Sequence, residues 1–204
     1  MVYYLTDELE NAIDYLEFAG EMFKKGNYKH RFKWLMISLH GALYSFGVCA
    51  IKGSSSIQNV YDKLKIKKSR KESLLNFVKE THGENYDPTL DETYLQFKEG
   101  KLLDIWTVLE RCQMEEFMRK YDISNVLKLN EIQKLAIDKL IFYRNHFAHL
   151  KPNAYGFIGN YVEEIVKPVI EVIAFLAIES NNILYCGDKS KERVKRALTM
   201  FEVD

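Results

Sequence analysis

The sequence predicts an all-α protein, a single-domain antiparallel helical bundle with peripheral additional helices, and three observations predict it. Only three prolines and ten glycines punctuate 204 residues, which leaves room for long helices. Leu, Lys, Glu and Ile dominate where a β-sandwich would favour Val, Thr and turn residues. Apolar residues recur at three-to-four spacing over long segments, and no segment supports a strand. A chain of this length suits one domain over residues 1–204 around one core. No repeat, low-complexity tract or shift in composition marks a boundary.

Asp7 and Glu10 form a capping box, and Leu9, Ile13, Leu16 and Phe23 follow at helical spacing until Gly26-Asn27 ends the first helix. From Tyr28 to Ile51, Phe32, Leu35, Met36, Leu39, Leu43, Phe46 and Ala50 predict a long, deeply buried second helix, stopped by Gly53 and three serines. These two supply the first part of the core, about residues 7–51, and residues 101–181 supply the rest. Residues 57–80 read as a shorter, lysine-rich helical pair, and the polar stretch 82–93, with Gly83 and Pro88, as a loop. Leu102 to Tyr121 is amphipathic, Asn130 opens a helix through Leu150, Val162 to Asn181 is an apolar helix, and Ser190 to Phe201 a short basic one.

Hydrophobic residues at 47% and charged residues at 28% exclude a disordered or fibrous chain. Lys plus Arg equals Asp plus Glu at 29 each, so a nucleic-acid partner must be held by a local patch rather than by net charge. Cys49, Cys112 and Cys186 are widely spaced without a CxxC pair, which fits neither a disulfide framework nor a structural zinc site and suggests a reducing cytoplasm. The acidic start lacks the character of a signal peptide. The apolar stretch Val169 to Ile178, interrupted by Glu171, is short of the roughly 20 residues that span a bilayer, so no membrane partner is expected.

Chemistry concentrates in residues 140–152, where Arg144, Asn145, His146 and His149 crowd onto the end of an otherwise apolar helix. Asn145 and His149, four apart, share a helical face, so the amide can orient the imidazole or share a ligand with it. Arg144 and His149 diverge by roughly 140°, so a straight helix does not aim both at one small atom. Either the helix end distorts or a second subunit completes the site. Pro152 disfavours helix at Lys151 and places His149 in the last turn, where the helix dipole favours imidazolium. A protonated histidine beside a guanidinium suits a phosphate, and histidine can move the protons of metal-free RNA cleavage while arginine clamps the phosphate. The plainer alternative is a capping or ion-pair arrangement at a helix end.

Arg144-Asn145-His146-Phe147-Ala148-His149 resembles the R-N-x-x-x-H form of the HEPN superfamily motif, an arginine followed after four to six residues by a histidine, with a polar residue after the arginine. His40 to Phe46 resembles the family's second-helix segment, and Phe142 to Tyr185 its motif helix with the long apolar helix that follows. The first hundred residues match mainly by pattern. The resemblance implies a cytoplasmic, cofactor-free, metal-independent endoribonuclease of toxin or antiphage type. It also implies a homodimer whose paired motifs form one composite cleft, with RNA as substrate and an antitoxin or regulatory protein as a further partner. His149 would be the general acid/base, Arg144 the phosphate clamp, and Asn145 would orient or contact the phosphate. In the toxin branch paired with a nucleotidyltransferase antitoxin, a tyrosine stands two residues beyond the histidine. Lys151 stands there in this chain, so regulation by tyrosine modification is not implied. A non-catalytic HEPN-like module holding a nucleotide, RNA or protein is the second reading, and a structural helical adaptor the third.

Around the motif, His146 is assigned to the phosphate or to structure, Lys151 to substrate, and Tyr143 and Tyr155 to base stacking. The other tyrosines, Tyr3, Tyr4, Tyr15, Tyr28 and Tyr44, read as core and interface. Lys63, Lys65, Lys67, Lys68, Arg70 and Lys71, and more weakly Lys191, Arg193, Lys195 and Arg196, are basic clusters that would track RNA or form solvated faces. His40 reads as an imidazole satisfied by a neighbouring helix. No HxxxH, HExxH or Cys/His spacing predicts a metal site.

Overall fold

The computed structural model describes residues 6–52, 57–62, 72–73, 76–77, 80, 83, 101–149, 157, 159–185 and 187–202. The protein is all-α: helices dominate, and among the described residues the only β pairing is an isolated antiparallel bridge between Tyr61 and Leu102. The basic run 63–71, Lys151, Tyr155, Tyr3, Tyr4 and Cys186 lie outside the described residues, as does the expected loop 82–93 apart from Gly83.

Helix α1 runs from Glu8 to Lys24 and α2 from Arg31 to Lys52. Asp7 caps α1, its carboxylate accepting from the Glu10 amide at 2.8 Å. The core lies around α2, which packs against α1 and against four later helices: α3 (Ile105–Cys112), α4 (Glu115–Met118), α5 (Glu131–Ala148) and α6 (Lys167–Ala174). Its buried Leu35, Leu39, Leu43 and Phe46 follow the expected spacing. Among the described residues α2 is the one helix long and apolar enough to cross a membrane, and 61% of that window lies inside the fold, as in a core helix. Two glycines let its neighbours close in: a Cβ at Gly41 would meet the Tyr15 ring of α1 at 2.6 Å, and one at Gly47 would meet Val108 of α3 at 2.7 Å.

Three expectations need correction. Leu102 to Tyr121 is not one helix: α3 starts after the Asp104 cap, and a second short helix, α4 (Glu115–Met118), follows an extended Met114. The break is tertiary in origin, because the Cys112 carbonyl accepts from the distant Leu127 amide instead of continuing the helix. In the segment expected as a helical pair, Ile57–Val60 forms a 3-10 turn and Tyr61 joins the bridge to Leu102, whereas the described residues 72–73, 76–77 and 80 are helical as expected. The helix expected from Val162 contains two wide π turns, Val162–Val166 and Phe175–Glu179, flanking α6. Pro168, two residues after the end of the first, has no N–H to give. At the second, the Ser180 amide reaches back to Phe175 and its hydroxyl donates to the Leu176 carbonyl at 2.7 Å, a side-chain substitute for the displaced ladder bond.

The last helix, α7 (Asp188–Thr199), is fastened to α1. Arg193 donates to both Glu10 oxygens, at 3.0 and 2.9 Å, and to Glu17 at 3.1 and 2.6 Å, while Arg196 reaches Glu17 at 3.4 Å. The Arg193 hydrogen bonds hold the Glu17 carboxyl below the usual carboxylate range. Two of the four cations in that expected basic cluster therefore serve the fold.

Candidate functional site

Helix α5 carries the motif, and its construction explains where each side chain lies. Asn130 and Gln133 form a reciprocal capping box: the Asn130 side chain accepts from the Gln133 amide at 2.8 Å, and the Gln133 side chain accepts from the Asn130 amide at 3.2 Å. Ala136, Ile137 and Leu140 form its buried stripe. Arg144, one turn beyond Leu140, continues that stripe toward α2 and is half-buried. Its Nη1 donates to the Asn145 side-chain oxygen at 2.9 Å.

His149 is the C-cap of α5 and is exposed; its amide donates to the Asn145 carbonyl at 3.2 Å. The structure therefore separates Arg144 and His149 as the helical angle requires. It joins Asn145 to Arg144 by side chain and to His149 only by backbone. The alternative in which the amide orients the imidazole is not the arrangement found. His146 donates from Nδ1 to the Phe142 carbonyl at 2.6 Å and packs its ring 4.1 Å from that of Phe142.

Tyr143 lies in an aromatic cluster and, half-buried, lines a surface hollow with Phe142 and Phe157. Its ring centroid is 5.2 Å from Phe32, 5.7 Å from Phe157 and 6.2 Å from Phe147. Phe32, near the start of α2, also meets Phe147 and Tyr161, so the cluster pins the N-terminus of α2 to the motif end of α5. Arg31 extends the junction by donating to the Tyr161 hydroxyl. Base stacking is the expected use of Tyr143; its ring contacts show that it also holds these helices in register.

His40 is the residue that sequence reasoning set aside. It is half-buried on α2, no described residue hydrogen-bonds its ring, and its electrostatic neighbour is Arg144. Burial first, and the Arg144 guanidinium second, lower its pKa to about 4. The expected partner on a neighbouring helix is not found among the described residues; the Arg144 charge instead disfavours protonation of the ring. A neutral imidazole beside a permanent guanidinium leaves Arg144 as the charged group of this face at neutral pH. The available clue was its place within the segment His40 to Phe46 that drew attention for other reasons.

Among the described residues no three His, Cys, Asp or Glu side chains gather as a metal site would require. Burial pushes the Cys49 and Cys112 thiols up to about 12, so neither supplies a thiolate near neutrality. An apolar hollow of about 320 Å³ between α1, α2 and the 57–61 turn is lined by Asn11, Tyr44, Val48, Val60 and Tyr61, with none of the motif residues on its wall. No family model, curated protein or solved structure matches the chain.

Proposed function

We propose that the chain is a single-domain HEPN-like bundle and a metal-independent endoribonuclease, acting as a cytoplasmic homodimer in a toxin or antiphage setting. The observation that carries this reading is the placement of Arg144, Asn145 and His149 at one end of α5: the guanidinium is oriented by Asn145 and the imidazole stands exposed. Among the described residues no carboxylate pairs with Arg144, which argues against the structural alternative of a buried ion pair.

In the reaction the RNA 2′-oxygen bonds to the adjacent phosphorus, its proton passes to a base, and the bond from phosphorus to the 5′-oxygen breaks. The leaving oxygen takes a proton from an acid, leaving a 2′,3′-cyclic phosphate and a 5′-hydroxyl. His149 serves as acid or base, and Arg144 clamps the phosphate and stabilises charge that grows in the transition state.

A second copy accounts for the angular separation. Ile132, Leu135 and Phe142 are 69%, 57% and 48% exposed and share the outer face of α5 with His146 and His149. Covering that apolar stripe with its equivalent would bring the two copies of His146 and His149 together, while Arg144, on the α2 side of α5, would border the resulting cleft from within its own chain. The half-buried Arg144, bonded to its own neighbour, favours as second reading a module that holds a nucleotide, RNA or protein without cutting.

The test is incubation of wild type and His149→Ala with mixed RNA in chelator. Cleavage to cyclic-phosphate ends by wild type, falling about 10²- to 10⁴-fold in the variant, is expected. Cleavage undiminished in His149→Ala removes the assignment, and intact RNA with a folded wild type selects the second reading.

A further inference from the structure

The turn between α1 and α2 is a cationic segment free of acidic residues. Residues 24–34 hold Lys24, Lys25, Lys29, Arg31 and Lys33 with no Asp or Glu, in a chain whose formal charge is zero. Two of these five serve the fold or its flank: Lys24 donates to the Glu202 carbonyl, and Arg31 to Tyr161 and the carbonyls of Lys25 and Gly26. That leaves Lys25, Lys29 and Lys33, with which no carboxylate among the described residues pairs.

Aromatic rings alternate with these cations. The Lys25 ammonium lies 5.2 Å from the Tyr28 ring centroid and that of Lys33 lies 5.0 Å from Trp34, and both rings are partly exposed. The strip is anchored beside the motif, because Phe32 packs on Tyr143 and Phe147 of α5. Lys33 and His40 are seven residues apart on α2, on one face and about 10 Å apart along the axis. The face that begins at the turn therefore runs toward the neighbour of Arg144.

We infer that the α1–α2 turn, through Lys25, Lys29 and Lys33 with Tyr28 and Trp34, is a binding strip for single-stranded RNA that delivers the strand toward Arg144. The inference rests on RNA being the substrate and adds the path it takes. Cations at short intervals neutralise successive phosphates, and rings between them stack unpaired bases without reading sequence. A duplex keeps its bases stacked on one another and cannot use the rings. An anionic membrane fits less well: Phe23 and Phe32 of the turn pack against the core rather than standing out to insert.

The experiment measures binding by full-length His149→Ala protein, which leaves RNA uncut, to a labelled 20-nucleotide unstructured RNA, to the corresponding duplex, and to phosphatidylserine vesicles. Adding Lys25→Ala, Lys29→Ala and Lys33→Ala is expected to weaken single-strand binding at least tenfold and to reduce the salt slope by about 2, at about 0.7 per cation lost. Adding Lys101→Ala, Lys128→Ala and Lys189→Ala, an equal charge change at exposed sites elsewhere, is expected to cost no more than twofold. Tyr28→Ala with Trp34→Ala should weaken the single strand at least fivefold and leave duplex affinity unchanged. Equal losses from the two lysine triples, or vesicles bound in preference to RNA, overturn the strip. If wild type still cleaves RNA while the turn triple keeps full affinity, the strip fails and the ribonuclease reading stands; if wild type neither binds nor cleaves RNA at low salt, both fail.

Discussion

Arg144 and His149 sit on one helix end, and their different surroundings assign them different tests. His149 is exposed at the cap, so His149→Ala should leave RNA affinity within a few-fold of wild type while removing cleavage, because a proton-transfer group acts chiefly in the transition state. Arg144→Ala should weaken binding, flatten its salt dependence and slow cleavage together, since the guanidinium meets both the bound and the reacting phosphate. Filter binding alongside single-turnover cleavage checks the pair, and equal loss of affinity in both variants would contradict the division of roles. His40 gives a pH test independent of activity. Unfolded, it takes its proton near 6.5, and folded only at about 4. Between those values the unfolded chain binds more protons, so this contribution to stability is complete above pH 6.5 and is lost as pH falls toward 4. The change should be on the order of 2 kcal/mol, read by urea unfolding at pH 7.5 and 4.5. His40→Gln should flatten that part of the profile; parallel profiles would show that His40 does not titrate there.

At the scale of helices, close approach is decided by what is missing from α2. Gly41 lets the Tyr15 ring lie against the backbone, and a methyl there must displace a ring atom only 2.6 Å away. Such strain costs about 1–3 kcal/mol, against a gain of up to about 1 kcal/mol from replacing a mid-helix glycine. Gly41→Ala should therefore destabilise by about 1 kcal/mol in thermal or urea unfolding. In a Tyr15→Ala background the same substitution should become neutral or stabilising, and a persistent cost would locate the strain elsewhere. The wide turn ending at Ser180 shows the converse dependence, in which a side chain supplies what the backbone ladder omits. Neither feature changes the apolar spacing, which is why the second helix was legible from Phe32 to Ala50 while the tight Tyr15 contact on it was not.

Across the whole molecule, zero net charge conceals an uneven distribution: an acid-free cationic turn on one side and the Arg193–Glu10–Glu17 clasp on another. A composite dimer site predicts a mixing result. Arg144→Ala and His149→Ala proteins, each inactive alone, should regain part of wild-type cleavage when combined if one intact pair from two chains suffices. No recovery, with heterodimers demonstrated by native mass spectrometry, would mean that both copies of each residue are required. Sedimentation showing only monomers at concentrations where RNA is cleaved would remove the shared cleft.

The sequence by itself determined the helical class, the starts of α1 and α5 at Asp7 and Asn130, and the grouping of Arg144, Asn145 and His149 at a helix end. These depend on the spacing of apolar residues and on caps formed within three or four residues, so each is written locally. Only the tertiary structure decided that the Arg144 charge acts on His40, that Tyr143 packs on Phe32 and Phe157, that Arg193 belongs to Glu10 and Glu17, and that a distant Leu127 amide helps break the segment after Cys112. Glu10 and Arg193 are separated by 183 positions, and no periodicity or capping pattern relates two residues so far apart. Their pairing follows from the order in which helices pack around α2, where burial and the satisfaction of charge select partners that local spacing leaves open.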